Sequence, residues 1–179
     1  MGQLPEPMVK PPFVVVSGLP GSGKSHFCHR LAERLPFPIL ESDALRKVLF
    51  PTPTYSLGES NRLFEACHSL IDGLLRRGIP LIFDATNLIE RYREHLYHIA
   101  DQAGAKLIIV RVEAPTEVVR QRLERRAKRV DPEDRSEADW KVYQRMKSSA
   151  QRIRRNHFAV DTSRDITPVI DKIVREVNR

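Results

Sequence analysis

The chain has 179 residues, and its 30 lysines and arginines outnumber its 23 aspartates and glutamates, which gives a formal net charge of +7. A hydrophobic fraction of 41% with 30% charged residues is typical of a globular domain and excludes a disordered chain, and no apolar run approaches the ~20 residues of a membrane span. With no visible signal peptide and only two cysteines, Cys28 and Cys67, we expect one cytoplasmic domain without membrane association. The net positive charge indicates a polyanionic partner, either nucleotide phosphates alone or a nucleic acid.

Strands and helices are predicted to alternate along the chain after a flexible, proline-rich arm at residues 1–12. Apolar runs predict strands at residues 13–17, 38–43, 80–85, 106–112 and 157–162. Helical patterns occupy residues 24–35, 44–50, 59–77, 89–103, 115–155 and 166–177, and the longest of them is interrupted near residues 129–139. This alternation predicts one α/β domain at residues 13–179, with three layers and a five-stranded parallel sheet.

The first strand leads into a glycine-rich loop that matches G-x-x-x-x-G-K-[ST]. Such glycines let successive backbone N–H groups point at phosphate oxygens, and the helix that follows adds its N-terminal amides and positive dipole end. Lys24 can reach the β- and γ-phosphates, and the Ser25 hydroxyl can ligate Mg²⁺. The loop is therefore predicted to bind a nucleoside triphosphate. Its residues are Gly18, Leu19, Pro20, Gly21, Ser22, Gly23, Lys24 and Ser25.

Three classes of protein share this loop: GTPase switches, ATP-driven motors and kinases. A GTPase would usually carry an [N/T]-K-x-D motif and a D-x-x-G loop, and neither is present. A motor usually places Glu directly after the acid that ends the third strand, to polarise the attacking water. Here Asp84 is followed by Ala85. A phosphotransferase must suppress hydrolysis, so the missing water-activating carboxylate favours a kinase.

A kinase also needs a base near the acceptor hydroxyl and cations for the transferring phosphoryl group. Asp43 is predicted at the end of the second strand, on the edge of the sheet where ligands of α/β folds bind. It can accept a hydroxyl proton, although it, or Ser42 before it, could instead only cap the next helix. Arg46 lies one helical turn after Asp43, so both can face one cleft.

A cationic stripe within "RQRLERRAKR" predicts an arginine-bearing lid at about residues 120–140. Arg122, Arg126 and Arg129 fall at i, i+4 and i+7, with Arg125 beside them. A solvated basic helix is the alternative interpretation, and the sequence does not say which arginine contacts phosphate. Asp84 could hold Mg²⁺ through water or orient Arg46.

Together, these residues resemble a known group: the P-loop kinases that include polynucleotide 5′-hydroxyl kinases, zeta-toxin-like kinases and many kinases predicted from sequence, within the AAA-type P-loop NTPase superfamily. The resemblance spans nearly the whole chain from about residue 13, and the ordered set of motifs is more specific than any one of them. The motifs are "GLPGSGKS", "SDALRK", "Y…E..R" at Tyr55–Arg62, "LIFDATNL" with the arginines after it, "RL..R" followed by "SEADW..Y", and a late "FAVDTS".

The resemblance implies an adenylate-kinase-like core, ATP with Mg²⁺, and phosphoryl transfer to a hydroxyl. On the donor side, it implies that Lys24 and Ser25 contact phosphate and metal, that Arg122 and Arg126 are the lid arginines, and that residues 160–165 with Thr162 lie near the adenine. On the acceptor side, it implies that Asp43 is the general base, that Arg46 contacts the acceptor, and that Thr86 and Asn87 line the acceptor site. Asp84 matches the acid at the end of the third strand. Relatives more often show "SDA" where this chain has "SEADW", which leaves the roles of Ser136 and Asp139 open.

The acceptor stays open between classes. A polynucleotide 5′-hydroxyl fits the +7 charge and the basic stretch 145–155, although aromatic residues are only 7% of the chain and no aromatic-studded basic groove is evident. A small-molecule kinase, acting on a metabolite, nucleoside or sugar nucleotide, is the first alternative. An ATP-binding protein that is a nucleic-acid-binding or regulatory module with slow ATPase activity is the second. The oligomeric state cannot be predicted.

Overall fold

The computed structural model of the chain describes residues 4–130 and 135–179. The strands are β1 (Pro12–Ser17), β2 (Ile39–Glu41), β3 (Leu81–Asp84), β4 (Lys106–Glu113) and β5 (Phe158–Asp161). The helices are α1 (Lys24–Arg34), α2 (Ser42–Leu49), α3 (Leu57–Arg76), α4 (Glu90–Gln102), α5 (Thr116–Val130), α6 (Arg135–Ser149) and α7 (Thr167–Val177).

The five strands form one parallel sheet in the order β2-β3-β1-β4-β5. The central strand β1 pairs with β3 on one side and β4 on the other, so that Phe13 lies between Leu81 and Leu107. The chain order reverses at β1, and in open α/β sheets ligands bind outside the carboxyl ends of the strands at such a point. The glycine loop, which follows β1, occupies this position.

Helices cover both faces of the sheet because β1 alternates its side chains between two cores. Val14 and Val16 belong to the core under α1 and α7, which also contains Phe27 and Ile173. Phe13 and Val15 belong to the core under α3 and α4. The predicted three-layer α/β fold with a five-stranded parallel sheet is confirmed.

Two predicted boundaries were wrong. The second strand ends at Glu41, which pairs with Asp84 at the end of β3, and Asp43 therefore lies in the first turn of α2. The helix predicted to reach residue 155 ends at Ser149, because the segment that follows turns away to hydrogen-bond with the chain near α4. The predicted interruption near residues 129–139 includes residues 131–134, which lie outside the described part of the chain.

The N-terminal arm is shorter than predicted. Pro11 and Pro12 are buried, and Pro12 already belongs to β1. The Met8 amide donates to the Gly78 carbonyl at 2.8 Å, which ties the segment to the turn between α3 and β3. Both cysteines are buried and free. Within residues 4–130 and 135–179, no helix combines the length and apolar character needed to cross a membrane.

Candidate functional site

The glycine loop has a backbone that other residues could not adopt without strain. Gly21 and Gly23 have φ angles of 75° and 91°, in the left-handed region that favours glycine. A Cβ on Gly23 would also lie 2.9 Å from the Thr162 hydroxyl oxygen, and one on Gly18 would lie 2.6 Å from the Val112 carbonyl oxygen. The loop is therefore enclosed by the ends of β4 and β5, and its glycines are required by both conformation and space.

Lys24 begins α1 and folds back across the loop, where its Nζ donates to the Leu19 carbonyl at 3.1 Å. Burial lowers the pKa of Lys24, while the negative charges of Asp84 and Asp43 oppose that shift. Both carboxylates therefore lie within electrostatic reach of the ammonium group. A phosphate bound in the loop would add a third negative charge and favour the protonated lysine.

Ser25 and Asp84 place two oxygens side by side at the end of β3. The Ser25 hydroxyl donates to Asp84 Oδ2 at 2.7 Å, and Asp84 is only 5% exposed. Hydroxyl and carboxylate oxygens are the ligands that Mg²⁺ prefers. The described residues contain no group of three or more His, Cys, Asp or Glu that could hold a metal ion. Mg²⁺ would therefore take its remaining ligands from phosphate oxygens and water, as is usual for this ion.

Two predicted nucleotide contacts, Arg122 and Thr162, meet at the outer side of the loop. Arg122 donates to the Thr162 hydroxyl at 2.8 Å, to the Thr162 carbonyl at 3.0 Å and to the Gly21 carbonyl at 3.3 Å. The Thr162 hydroxyl in turn donates to the Ser22 carbonyl. Arg126, one turn further along α5, is exposed, and its charge also lowers the pKa of Lys24. The structure thus brings both arginines to the loop.

On the opposite side of the cleft, α2 carries Asp43 and Arg46. Asp43 is exposed, whereas Arg46 is buried, with 7% of its surface accessible. Arg46 forms an ion pair with Glu59 of α3 and donates to the Ser60 hydroxyl at 3.3 Å. Its guanidinium lies 4.7 Å from the centre of the Tyr55 ring. Arg46 is thus held between α3 and the segment that precedes it.

Glu59 organises this side of the cleft. Its carboxylate accepts hydrogen bonds from the Thr54 amide at 2.6 Å, the Thr54 hydroxyl at 2.8 Å and the Tyr55 amide at 3.2 Å, in addition to Arg46. Burial alone would raise the pKa of Glu59, but these donors outweigh it and lower the pKa to about 2. The carboxylate therefore stays charged at neutral pH.

Thr86 and Asn87, predicted to line the acceptor site, brace the loop through other contacts. The Thr86 carbonyl accepts from the Gly18 amide at 3.0 Å. Asn87 has a φ of 46°, is 7% exposed, and donates its side-chain amide to the Val16 carbonyl at 2.8 Å. In this structure the Asn87 amide therefore holds β1, and a role for either residue toward an acceptor stays a prediction.

Residues 13–153 match a protein-family model described as an AAA domain, and this match covers most of the chain. The chain belongs to this AAA domain family. A search of curated proteins gives no match.

Solved structures similar to this AAA domain include kinases of several substrates. A gluconokinase from Sinorhizobium meliloti is 22% identical, with a TM-score of 0.66 and coverage of 94% of this chain and 93% of the other. The Mycobacterium tuberculosis APS kinase CysC, in complex with AMPPNP and APS, is 17% identical, with a TM-score of 0.67 and coverage of 97% and 100%. A chain of the Pnkp1/Rnl/Hen1 RNA repair complex is 22% identical, with a TM-score of 0.60 and coverage of 79% and 47%. At these identities the likeness shows the fold alone.

Helices α5 and α6, which contain the described part of the predicted lid at about residues 120–140, pack directly beside the loop. Val119, Leu123 and Tyr143 form an apolar cluster to which Leu19 of the loop contributes. A cavity of about 260 Å³ lies between these helices, the end of β4 and residues 150–153. The buried Ser22 hydroxyl lines it and has no hydrogen-bond partner in the described part of the chain. This volume is smaller than a typical ligand pocket, so it suits one part of a ligand.

One residue that supports the site was missed by sequence reasoning. Arg93 of α4 is fully buried and donates to Glu90 at 2.7 Å, to the Asn87 carbonyl, and to the carbonyls of Gln151 and Arg152 at 2.9 and 3.0 Å. It therefore fastens the segment after α6 to the turn after β3. In the sequence Arg93 is one of the arginines that follow "LIFDATNL" in the resemblance, where no role is assigned to it and nothing distinguishes it from the exposed Arg91.

The basic stretch 145–155 is partly occupied by contacts within the chain. Lys147 donates to the Thr116 hydroxyl at 2.8 Å. The Arg155 guanidinium lies 4.5 Å from the centre of the Tyr97 ring and 3.8 Å from an Asp101 carboxylate oxygen. These two cations join α6 and the following segment to their neighbours, which weakens the case for the whole stretch as a nucleic-acid surface.

Proposed function

We propose that this AAA domain is an ATP-dependent kinase that transfers the γ-phosphate of ATP to a hydroxyl group, with a nucleic acid 5′-hydroxyl as the acceptor. The observation that carries the proposal is the arrangement around Lys24, whose ammonium group lies across the glycine loop, within electrostatic reach of Asp84 at the end of β3 and of Asp43 in the first turn of α2. A phosphate cradle with two carboxylates beside it suits transfer between a bound triphosphate and a second substrate.

In this proposal Asp43 is the general base. The acceptor hydroxyl attacks the γ-phosphorus, a new P–O bond forms to the acceptor oxygen, and the bond from the γ-phosphorus to the β–γ bridging oxygen breaks. The hydroxyl proton passes to the Asp43 carboxylate, and ADP leaves with the electron pair of the broken bond. Exposure of Asp43 at the first turn of α2 supports this role because a bound acceptor can reach it.

The cations of the loop and lid would stabilise the charge that spreads over the transferring phosphoryl group. Lys24 bridges the loop, and Arg126 lies within electrostatic reach of it. Arg122 fixes the outer side of the loop through Thr162. Ser25 and Asp84 would hold Mg²⁺, which neutralises phosphate charge when bound.

Hydrolysis must be slow for a kinase, and the residue after Asp84 supports this. Ala85 is 3% exposed and carries no group that could activate water. The buried Asp84 is itself paired with Ser25. Asp43, in contrast, is exposed on the side where an acceptor would enter.

The choice of acceptor rests on charge. The net charge of +7 favours a polyanion, and phosphate contacts account for much of nucleic-acid affinity. A small-molecule acceptor is the second candidate, favoured by the similarity to a gluconokinase and an APS kinase. Similarity to a chain of an RNA repair complex favours the first.

Phosphate transfer from labelled ATP tests the proposal, with 5′-hydroxyl oligonucleotides, nucleosides and sugar acids as acceptors. We expect labelled oligonucleotide from the wild type. We expect Asp43→Asn to lower the transfer rate about 10²- to 10⁴-fold while ATP affinity is retained, because a general base contributes a factor of this size. Lys24→Ala should impair ATP binding and transfer together.

Asp72→Asn is the matched control, since Asp72 lies on α3 and pairs with Arg76 on an exposed face. Its transfer rate should equal that of the wild type. Transfer to small molecules alone would establish the second candidate. Salt-dependent nucleic-acid binding with no acceptor-dependent release of ADP would instead indicate a binding module with slow ATPase activity. Unchanged transfer in Asp43→Asn would show that the base is assigned wrongly.

A further inference from the structure

Tyr55 has an unusual backbone and an unusual degree of exposure. Its φ angle is 56°, in the left-handed region that aromatic residues rarely adopt. Its surface is 66% exposed, so the strained conformation does not serve to bury the ring in a core. Backbone strain of this kind persists where the surroundings enforce it, and it concentrates at ligand sites.

The surroundings that enforce this conformation are polar. The Glu59 carboxylate accepts from the amides of Thr54 and Tyr55 at 2.6 and 3.2 Å, which fixes the turn on which Tyr55 stands. Ser56 caps α3, and its hydroxyl accepts from the Glu59 amide at 3.3 Å. The turn is thus held to the start of α3 by hydrogen bonds that use both the carboxylate and the backbone amide of Glu59.

The ring of Tyr55 has one covered face and one open face. The guanidinium of Arg46 lies 4.7 Å from the ring centre and is itself buried against Glu59 and Ser60. Since the residue is two-thirds exposed, the opposite face is free to contact a planar group. We call this stack of the Tyr55 ring on the Arg46 guanidinium the Tyr55 platform.

The Tyr55 platform lies beside the proposed base. Arg46, which forms its underside, is one helical turn after Asp43 on α2. An acceptor whose hydroxyl reaches Asp43 therefore passes close to the ring. Exposed apolar side chains flank the two components of the platform in the sequence, Val48 on α2 at 77% exposure and Leu57 on α3 at 74%.

We propose that the Tyr55 platform stacks the nucleobase of the acceptor nucleotide and so holds its 5′-hydroxyl toward Asp43. This inference rests on the proposed kinase function. An aromatic ring suits a base because every base has a π-face, and such stacking is tolerant of sequence. A sugar acid or a sulfate would require several hydrogen-bond donors in place of a bare ring. The positive charge of the chain complements the phosphates that follow the first nucleotide.

Binding of a labelled oligonucleotide tests the platform independently of catalysis. The probe is a 5′-hydroxyl DNA hexamer with a 3′ fluorophore, carrying either a normal or an abasic first residue, with AMPPNP present. We expect the wild type to bind the abasic probe roughly 5- to 150-fold more weakly, the range that stacking of one base contributes. Tyr55→Leu should weaken binding of the normal probe by the same factor and not distinguish the two probes.

Matched variants separate stacking from folding. Tyr55→Phe keeps the ring and should bind like the wild type, and Tyr92→Leu, which removes a half-exposed tyrosine of α4, should have no effect. Affinity for AMPPNP should be unchanged in all of them. The abasic comparison on the wild type requires no variant, so poor folding of Tyr55→Leu does not affect it.

Each outcome decides one question. Equal wild-type affinity for the two probes, no measurable binding of the normal probe, or wild-type behaviour of Tyr55→Leu would overturn the platform. Base-dependent binding without phosphate transfer to any acceptor would keep the platform and overturn the kinase. Competition by free adenosine as strong as by the unlabelled hexamer would identify a nucleoside, and weak competition a polynucleotide end, as the source of the base.

Discussion

The two halves of the candidate site are built by different means. The proposed donor half consists of the glycine loop with Ser25, Asp84, Arg122 and Thr162, and it is held mainly by backbone geometry, including two glycines at positive φ. The proposed acceptor half consists of Asp43, Arg46, Tyr55 and Glu59, and it is held by side chains that cross from α2 to α3.

This difference has a functional consequence. A backbone cradle recognises the phosphates that all nucleoside triphosphates share, and it leaves little room for variation. A side-chain network can exchange its members while the helices stay in place. We therefore expect the acceptor half to tolerate exchange of its residues more readily than the donor half.

The largest loss of transfer rate is expected from a substitution in the glycine loop of the donor half. Gly23→Ala places a Cβ at a φ of 91° and 2.9 Å from the Thr162 hydroxyl oxygen. The loop must shift, and its amides lose their alignment on the phosphates. We expect the transfer rate to fall about 10²- to 10³-fold, as when a preorganised donor is lost, with weaker ATP binding.

Gly73→Ala is the control for this variant. Gly73 lies within α3, and a Cβ there meets no atom within 4 Å other than the neighbouring backbone of its own helix. The substitution should leave transfer unchanged and stabilise the helix by up to about 1 kcal/mol. If Gly23→Ala behaved like Gly73→Ala in steady-state kinetics and ATP titrations, the donor half would not depend on its backbone.

The donor half was largely predictable from the sequence, for the same reason that makes it rigid. A backbone cradle requires glycines at fixed spacing between a strand and a helix, and this pattern is visible in "FVVVSGLPGSGKS". The sheet was predictable because its strands are continuous apolar runs, confirmed as five parallel strands. Boundaries set by tertiary contacts, such as the end of α6 at Ser149, were not.

The acceptor half was only partly predictable. Asp43 and Arg46 were singled out by their spacing, and Tyr55 and Glu59 entered through a resemblance without an assigned role. Their roles depend on α2 and α3 meeting so that Arg46 reaches Glu59, which lies 13 residues away. No local periodicity reports such a contact. The buried Arg93 was missed for the same reason, since its partners Gln151 and Arg152 are 58 and 59 residues distant.

A smaller effect, confined to the acceptor half, is expected for Glu59→Gln. The amide keeps the size of the side chain but removes the charge that pairs with Arg46, and it replaces one of the two carboxylate oxygens that accept from the Thr54 and Tyr55 amides with an NH₂ donor. We expect kcat/KM for the acceptor to fall about 10- to 100-fold through misplacement of Arg46 and Tyr55. The KM for ATP should stay within about twofold of the wild type.

Glu65→Gln provides the comparison, since Glu65 is exposed on the same helix. Its kinetics should match the wild type for both substrates. An equal loss of affinity for ATP and for the acceptor in Glu59→Gln would show that the two halves are coupled rather than independent.

The lowered pKa of Glu59, which pairs with Arg46, also predicts how the stability of the protein depends on pH. The contribution of the pair to stability is complete above about pH 4.5 and is lost as the pH falls toward 2.

The smallest effect concerns the helices behind the acceptor half. His68 of α3 stacks on His95 of α4 with ring centres 4.5 Å apart, and burial, followed by the charge of His95, lowers the pKa of His68 to about 4. Between pH 6.5 and 4 the unfolded chain therefore binds a proton that the folded chain does not, and stability falls as the pH falls. Because His68 is half-buried, we expect the free energy of unfolding to fall by about 1 kcal/mol across this range.

Urea unfolding at pH 7 and pH 5 should show this loss of stability in the wild type. The same loss is expected in His98→Gln, which changes an exposed histidine of α4, and a smaller loss is expected in His68→Gln. A pH dependence that is equal in all three proteins would place its origin elsewhere, and a matching change in ATP affinity would connect these helices to the donor half.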